Sequence, residues 1–342
     1  MKDPYQKGLC ELADGIHGYL QPNGSWGLNN AGLIHGKTSS ILVDTLFDLH
    51  HTREMLAALR ARIPQARTIG TVVNTHANGD HCWGNQEVAG ANIVASARGA
   101  QEMAELPPSR VAWMVRGANA AVTLGPLTTV ARGVLGALRV KPLHHMLTAA
   151  PFVARIFAGF DFGGIDLTLP TQTFEKKLTL TVDDRAVELL EVGPAHTQGD
   201  VMVHIPDAGV LFGGDILFID SHPVVWAGPI SNWVAALDTI LALQPKVIVP
   251  GHGPLTNLAA VTRLKEYLVY VDAQATQRHA AGMDALTAAK DIALDGYRDW
   301  LDAERIAVNV DTVYRHLEGR TGPVNVVEMF ARMALVARAV RH

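Results

Sequence analysis

Cysteine is scarce in this sequence, since Cys10 and Cys82 are the only two among 342 residues. Two cysteines cannot form the disulfide framework that stabilises small secreted proteins. The chain also does not open with a charged segment and an apolar stretch in the manner of a secretory signal. We therefore expect a reducing, cytoplasmic setting.

Charged residues are few, at 18% of the chain, and the formal net charge is −4 with a pI near 6.4. Such a chain has no overall basic field with which to hold phosphates, so no nucleic-acid partner is expected. The hydrophobic fraction of 48% is enough for a large buried core and argues against long disordered segments.

Long uninterrupted apolar runs are absent. The nearest candidate, residues 142–160, contains His144, His145 and Arg155, whereas a membrane-spanning helix needs about 20 predominantly apolar residues. The sequence therefore predicts no transmembrane segment.

Short runs rich in β-branched residues alternate with helical patterns, which indicates a mixed α and β fold. Helices are predicted at 52–62, at 232–243 and over most of the tail from 257 onward. Within that tail, the apolar spacing of 280–301 suits one amphipathic helix, in which Tyr297 and Trp300 would pack on the core or on a partner in a homodimer. Strands are predicted at 32–35, 41–43, 71–73, 91–96, 172–175, 178–182, 186–192, 201–205, 210–212 and 247–249.

The stretch between the two groups of strands is rich in Ala, Leu, Val and Met and predicts helices separated by Gly and Pro. From 106 to 160 it contains no Asp or Glu. Its cations are Arg110, Arg116, Arg132, Arg139, Lys141 and Arg155. The sequence thus predicts a basic, apolar helical insertion at about 98–165.

The sequence THANGDHCWGN follows the apolar run 69–73, which places His76, Asn78, Asp80 and His81 in a loop at the end of a strand. Imidazole and carboxylate groups at this density suit zinc, manganese or iron, because each offers a lone pair at about 2.0–2.2 Å from the ion. The alternative is a polar helix cap without a metal. Three further segments favour the metal site.

These segments each place a candidate ligand at the end of a predicted strand. GPAHTQGD contains His196, VLFGGD contains Asp215 and VPGHGP contains His252. Taken singly, each has an ordinary explanation as a turn histidine, a helix cap or a residue of a glycine-rich loop. The four segments together favour a single metal site.

The order and spacing of these residues resemble the metallo-β-lactamase superfamily, in which an HxHxDH motif is followed by His, Asp and His from loops of an αββα sandwich. The resemblance covers residues 15–254. It implies an α+β fold in which a helical C-terminal extension, 257–342, packs on a catalytic domain of residues 1–256 that includes the insertion. LVDT around Asp44 resembles the family's aspartate motif, so Asp44 is expected to steady the metal loops rather than to bind metal.

The resemblance also implies two metal positions. The first would be held by His76, Asn78 and His196, and the second by Asp80, His81 and His252 with Asp215 between the two. Asn78 departs from the family pattern, because histidine is usual there and an amide oxygen is a weak, neutral ligand. The first position is therefore expected to be weakened or empty. One subclass of metallo-β-lactamases has asparagine in place of the first histidine of the motif and works with a single zinc, although the substitution here is at a different position.

The resemblance implies a hydrolase with one or two zinc ions per chain, or with iron or manganese, that uses a metal-bound hydroxide to attack a carbonyl. Asp80 would bind the metal and orient or deprotonate the attacking water. Asn78 would donate its amide N–H to an oxyanion, or would only shape the loop. No GxSxG motif is present, and Cys82 is expected to fill space beneath the loop.

The insertion gives the main indication of a substrate. As a lid it would cover an apolar acyl chain while its cations meet an anionic group such as phosphopantetheine, so acyl-CoA or acyl-carrier thioesters, esters, lactones and β-lactams are candidate substrates. The same composition also suits a membrane surface or a contact between monomers. Trp26, His222 and Trp226 are expected to contact substrate, although Trp226 also suits a core position.

Two other function classes compete with hydrolysis. Relatives with glutamate at the position of Asn78 hold two irons and reduce oxygen or nitric oxide, or hydroxylate a substrate, and asparagine lacks that anionic ligand. The other alternative is a protein that binds a ligand without catalysis. The retained ligands Asp80, His81, Asp215 and His252 argue against it.

Overall fold

The computed structural model describes residues 5–88, 90–322 and 324–339. Its strands form where β-branched and aromatic residues are concentrated, because such side chains pack well on a pleated surface. They are β1 (Gly8–Ala13), β2 (Ile16–Leu20), β3 (Ala31–His35), β4 (Ser40–Val43), β5 (Thr71–Val73), β6 (Asn92–Ser96), β7 (Gln172–Phe174), β8 (Lys177–Val182), β9 (Arg185–Glu191), β10 (Val201–Ile205), β11 (Val210–Phe212) and β12 (Val247–Val249). The strands predicted from the sequence correspond to β3 through β12.

The strands form two sheets. β1 to β7 make the first sheet in sequence order, antiparallel from β1 to β4 and parallel from β4 to β7. The second sheet has the order β12-β11-β10-β9-β8, in which β11 and β12 are parallel. Because the carboxyl ends of parallel strands share one edge of a sheet, the loops after β4 and β5 are neighbours, and so are those after β11 and β12.

The hairpin of β1 and β2 was not predicted. Asp14 and Gly15 form its turn, with Ala13 paired opposite Ile16. Asp-Gly is a pair that two-residue hairpin turns favour, and Gly15 has a φ of +72°. The turn signal was present, but the glycine and charged residues of the two strands obscured the alternation that marks a strand.

Apolar side chains from the inner faces of the sheets form a shared core. It includes Ile16, Ile34 and Val43 from the first sheet and Leu189, Val203 and Phe212 from the second. At one point Phe212 reaches the backbone of Gly32 on β3, where an added Cβ atom would lie 2.1 Å from the phenyl ring. A glycine at position 32 therefore permits the close approach of the two sheets.

The described residues form eleven α-helices. They are α1 (Leu49–Arg62), α2 (Gly79–Cys82), α3 (Ala97–Glu105), α4 (Pro108–Thr123), α5 (Pro126–Ala137), α6 (Lys141–Ile156), α7 (Ile230–Leu243), α8 (Leu258–Ala280), α9 (Ala285–Asp291), α10 (Ile306–Leu317) and α11 (Val326–Ala339). Of these, α1, α7 and α8 cover the outer faces of the sheets. α1 begins after Asp48, whose carboxylate accepts a hydrogen bond from the N–H of His51, and buries Met55 and Leu59 against the first sheet. With α7 and α8 packed outside the second sheet, the predicted αββα, α+β fold is confirmed.

The insertion and the C-terminal extension share one core with the second sheet. This cluster includes Val115 and Phe152 from the insertion, Leu211 and Trp233 from the sheet and α7, and Leu264, Val310 and Phe330 from the extension. α11 packs on α6, and α10 packs on α8. The extension therefore contacts the insertion directly.

The prediction of one amphipathic helix over 280–301 is wrong. α8 ends at Ala280, and Gly282 follows with a φ of +75°. Asp284 then begins α9, because its carboxylate accepts hydrogen bonds from two backbone N–H groups of the next turn. α9 ends at Asp291. A local cap thus overrode the apolar periodicity.

Within the described residues, no single helix has both the length and the apolarity that crossing a membrane requires. α4 and α5 together meet that test of length and composition, but they are bent by 109° at the break between them.

We expect Gly32→Val to destabilise the fold, because the new side chain must displace Phe212 or separate the sheets. The free energy of unfolding, measured by urea denaturation, should fall by about 1–3 kcal/mol, as is typical of overpacked cores. Gly117→Ala is the control, since nothing beyond the neighbouring backbone of α4 lies within 4 Å of the added Cβ. Equal stability of Gly32→Val and the wild type would contradict this view of the sheet contact.

Candidate metal centre

The predicted metal ligands lie together in loops that follow strands. They are His76, Asp80 and His81 after β5, His196 between β9 and β10, Asp215 after β11, and His252 after β12. All six side chains are buried. Burying imidazole and carboxylate groups is costly unless they are paired or bind a metal.

Each of the four imidazole rings is oriented by a hydrogen bond at Nδ1. The partners are Thr75 Oγ1 at 3.0 Å for His76, Asp44 Oδ2 at 2.8 Å for His81, the Val224 carbonyl at 2.7 Å for His196, and the Gly24 carbonyl at 3.1 Å for His252. Carbonyl and carboxylate oxygens only accept, so Nδ1 is the donor in those rings. Nε2 is then the nitrogen that each ring directs toward the centre.

Asp44 connects the ends of β4 and β5. Its carboxylate accepts hydrogen bonds from the Thr75 N–H at 2.7 Å, the Thr75 hydroxyl at 2.8 Å and His81 Nδ1 at 2.8 Å. Its backbone has a φ of +61°, which Asp and Asn tolerate better than most residues. Asp44 therefore joins the ring of His81 to the loop that follows β5 through hydrogen bonds.

Asp215 lies among the four Nε2 atoms. Its Oδ2 is 3.3 Å from His196, 3.5 Å from His252 and 3.6 Å from His76, and its Oδ1 is 3.1 Å from His81. Asp80 Oδ2 is 3.3 Å from Nε2 of His252 and 3.9 Å from Nε2 of His81.

These residues fit a divalent metal. Two groups of three residues are suitable, because within each group the ligand atoms lie within 4.8 Å of one another. One group is His76, His81 and Asp215, and the other is Asp80, His81 and His252. His76 Nε2, His81 Nε2 and Asp215 Oδ1 are buried and make no hydrogen bond, because the 3.1 Å approach of the last two atoms lacks hydrogen-bond geometry. Such atoms are rare in folded proteins, and a cation that prefers nitrogen and oxygen ligands satisfies all three.

The electrostatics divide the histidines into two pairs. Burial lowers the pKa of His196 to about 4 and the pKa of His76 well below its usual value. Burial also opposes the charged forms of His252 and His81, but the carboxylates, Asp215 first among them, raise the pKa of His252 to about 9 and the pKa of His81 well above its usual value. The field that favours protons at these two rings also favours a metal cation.

Asn78 is bound to His196 rather than directed at the centre. Its Nδ2 donates to His196 Nε2 at 2.8 Å. Because that ring donates from Nδ1 to Val224, its only lone pair is taken by the amide. His76 is then the one histidine of the first metal position whose Nε2 has no hydrogen-bond partner. This contact gives a structural reason for a weakened first position.

Cys82 lies beneath the loop of His81. Its Sγ donates to the Asn78 carbonyl at 3.3 Å, and burial raises the pKa of the thiol well above its usual value. A buried, protonated thiol is a poor nucleophile, so Cys82 fills space as expected.

A cavity of about 1240 Å³ opens beside the centre, and Asn78, Asp80, His196, Asp215 and His252 line it. Aromatic rings form much of its wall: Trp26, Phe47, Trp83, Phe157, Trp226 and Phe330. α4 adds Val111 and Met114. The cavity is larger than the roughly 300–1,000 Å³ that is usual for small-molecule sites.

Of the three residues predicted to contact substrate, Trp26 and Trp226 line the cavity and His222 does not. His222 is fully buried, and its Nδ1 lies 3.0 Å from the Tyr267 hydroxyl. Its backbone N–H donates to the Leu301 carbonyl, which holds this segment against the tail. The structure thus corrects the prediction for His222.

Sequence reasoning missed Asp200 and Arg305. Asp200 accepts hydrogen bonds from the Thr197 N–H and hydroxyl and from the Ala195 N–H, which fixes the turn around His196. The Thr-x-x-Asp spacing in HTQGD was an available signal for this turn. Arg305 gave no signal, because it lies in the tail, far along the chain from the ligand motifs.

We expect Asp44→Asn to weaken zinc binding by about 10- to 100-fold, because the amide lacks the charge that orients His81. Asparagine tolerates the positive φ, so the backbone is preserved. Competition with a chromophoric chelator measures the affinity. Asp183→Asn is the control, since Asp183 also has a positive φ, of 52°, but lies in the β8–β9 turn. Unchanged affinity in Asp44→Asn would contradict the assigned role.

Two curated relatives match parts of this chain. The Metallo-beta-lactamase type 2 of Bacteroides fragilis is 27% identical over 107 residues, which are 29% of this chain and 42% of the relative. The Linear primary-alkylsulfatase of Pseudomonas sp. (strain ATCC 19151) is 31% identical over 98 residues, which are 27% of this chain and 18% of the relative. The matches thus span less than half of either relative.

Solved structures share the fold at low sequence identity. The sec-alkylsulfatase Pisa1 from Pseudomonas sp. has a TM-score of 0.62 at 16% identity, over 92% of this chain and 51% of that one. A metallo-beta-lactamase from Pontibacter korlensis has a TM-score of 0.52 at 18% identity, over 77% of this chain and 99% of that one.

The family model of the metallo-beta-lactamase superfamily matches residues 24–252. That span contains both sheets from β3 onward and all six predicted ligands. The resemblance seen in the motifs is therefore confirmed, and this chain belongs to the metallo-β-lactamase superfamily.

Proposed function

We propose that this protein is a metal-dependent hydrolase that cleaves an ester or thioester bond in a small molecule with a large apolar part. The observation that carries the proposal is the convergence of four imidazole Nε2 atoms and two carboxylates beside a large aromatic cavity. Neither a turn nor a helix cap explains this arrangement.

The residues that would hold the metal are Asp80, His81, Asp215 and His252. A divalent metal in such a site supplies an acidified water and a Lewis acid that polarises the scissile bond. Asp80 is the more accessible carboxylate, with 12% of its side chain exposed against 2% for Asp215. Its carboxylate would orient the attacking water toward the cavity and accept a proton from it.

Asn78 lines the same cavity as Asp80. Its amide nitrogen has two N–H bonds, and one of them donates to His196. The other N–H would donate to the substrate oxygen that gains negative charge during attack, where a fixed donor lowers the barrier.

The cavity supports a substrate with both an apolar and an anionic part. Beside the aromatic wall it is lined by five arginines, Arg98, Arg110, Arg305, Arg315 and Arg320. An acyl thioester of coenzyme A or an acyl carrier combines a hydrocarbon chain with a phosphorylated group. The chain suits the aromatic wall and the phosphates suit the arginines.

A sulfate ester is a second candidate, because the guanidinium of Arg305 lines the cavity, although it also donates to the His222 carbonyl at 2.8 Å. Its guanidinium lies 4.4 Å from the Trp26 ring centre and pairs with Asp302 at 3.0 Å, and its buried Nε has no hydrogen-bond partner. Guanidinium N–H groups bind tetrahedral oxyanions well. The similarity of this chain to two alkylsulfatases, one in sequence and one in fold, supports this candidate.

The di-iron redox alternative has less support. Position 78 supplies an amide whose nitrogen donates to His196, and the anionic ligand expected of that class is missing there. The identity and number of metal ions per chain distinguish a hydrolase from a di-iron redox enzyme.

We expect the native chain to bind about one zinc at the second position, Asn78→His to bind about two, and Asp215→Ala to lose zinc. The added imidazole removes the amide contact and completes the first position. Plasma mass spectrometry of purified protein measures the metal content. Asn119→His, which adds an imidazole on the exposed side of α4, is the control and should stay at one. Two irons per native chain would overturn the hydrolase proposal.

We expect the zinc-loaded protein to hydrolyse p-nitrophenyl laurate with a kcat/KM about tenfold or more above that for the acetate, because each buried methylene adds binding energy. Asp80→Asn should lower kcat by about 100-fold or more, and Asp238→Asn on the surface of α7 is the control. Two further substrates distinguish the candidate classes. Thiol release from dodecanoyl-CoA measures thioester hydrolysis, and sulfate release from dodecyl sulfate measures sulfate-ester hydrolysis. Inactivity toward carboxylic, thio- and sulfate esters alike would refute the proposed function.

A further inference from the structure

The outer side of the insertion exposes large apolar side chains. Trp113 and Leu124 on and after α4, and Leu127, Val130, Val134 and Leu138 on and after α5, are between 52% and 70% exposed. α5 contains no buried residue at all. We call these six residues the outer apolar face.

The members of this face are aligned along their helices. Leu127, Val130, Val134 and Leu138 are spaced by three, four and four positions, which places them on one side of α5. Trp113 and Leu124 are eleven positions apart and lie on one side of α4. The opposite side of α4 buries Ala112, Val115 and Ala118 in the core. The insertion is therefore anchored on one side and apolar on its free side.

Within the insertion itself, all formally charged residues from 106 to 160 are cations. Arg116, Arg139 and Lys141 are exposed, Arg132 is half-buried, and residues 106–160 contain no Asp or Glu. In the described part of the chain none of these four cations forms an ion pair. A partner for this surface must accept both apolar side chains and unneutralised cations.

We propose that the outer apolar face docks on a membrane surface that contains anionic lipids. Hydrocarbon at the lipid interface accepts the apolar side chains, and acidic headgroups neutralise the arginines and the lysine. A second copy of this chain suits the face less well, because a two-fold contact sets the same patch against itself and brings cations together.

The dimensions of the insertion favour docking rather than crossing. α5 has 12 residues, about 18 Å at 1.5 Å per residue, against a hydrocarbon core of about 30 Å. The 109° bend after α4 prevents the two helices from forming one rod. The apolar side chains of α5 can be buried if the helix lies flat in the interface between lipid and water.

Docking through this face also places the cavity near the lipid. Arg110, Val111 and Met114 of α4 line the cavity, while Trp113 on the same helix points outward. An apolar substrate would pass from the interface to the cavity along one helix. This step rests on the proposed function, whereas docking itself does not.

The test is flotation of the full-length protein with vesicles of phosphatidylcholine alone or in an equal mixture with phosphatidylglycerol. We expect the wild type to float with the anionic vesicles, and high salt to weaken that binding. Leu127→Asp/Val134→Asp should lower the bound fraction by about tenfold or more. Val269→Asp/Leu317→Asp, which alters exposed apolar residues of α8 and α10, is the matched control and should bind as the wild type does.

Circular dichroism and light scattering make the result decisive. Since α5 buries no side chain, the aspartates should leave the melting curve unchanged. Absence of flotation, or equal flotation of the Leu127/Val134 variant, would overturn the proposal. A wild-type dimer that these aspartates dissociate would overturn it in favour of contact between copies. Metal-free protein should float equally well, so failure of the proposed hydrolase activity would not affect this outcome.

Discussion

Each histidine of the metal centre depends on a hydrogen bond made by the nitrogen that faces away from it. Without that bond a buried ring could rotate or exchange its proton, and Nε2 would no longer face the shared point. The acceptors come from separate places: Thr75, Asp44, the Gly24 carbonyl and the Val224 carbonyl. The ligand geometry is therefore set by how the loops of both sheets lie against one another.

The clustering of the candidate ligands could be predicted from the sequence because residue type and strand endings are local features. His76, Asp80 and His81 fall within one short motif, and the β-branched runs located ten strands. Contacts between distant segments could not be predicted. No residue near Asn78 in the sequence indicates that its amide donates to His196. Likewise, no residue near His222 indicates that its backbone binds Leu301 in the tail. The apolar spacing also gave a wrong helix boundary where a helix cap sets the start of the helix, as Asp284 does for α9.

The walls of the cavity come largely from segments outside the two sheets. The insertion supplies Val111 and Met114, and the extension supplies Arg305 and Phe330. The sheets and loops thus provide the family's chemistry, while added helices determine the shape and charge of the space in front of it. Membership of the superfamily consequently says less about the substrate than these helices do.

The centre draws its ligands from both sheets, with His81 from the first and Asp215 and His252 from the second. A metal held by these residues would join the two halves of the chain, which also share an apolar core and hydrogen bonds such as that from the Asn30 N–H to the Gly251 carbonyl. The unfolded chain does not hold these ligands together, so a metal would bind the folded chain far more tightly, unlike a disulfide, which persists on unfolding. The free energy of metal binding would then add to the free energy of folding, and the metal would stabilise the contact between the two sheets.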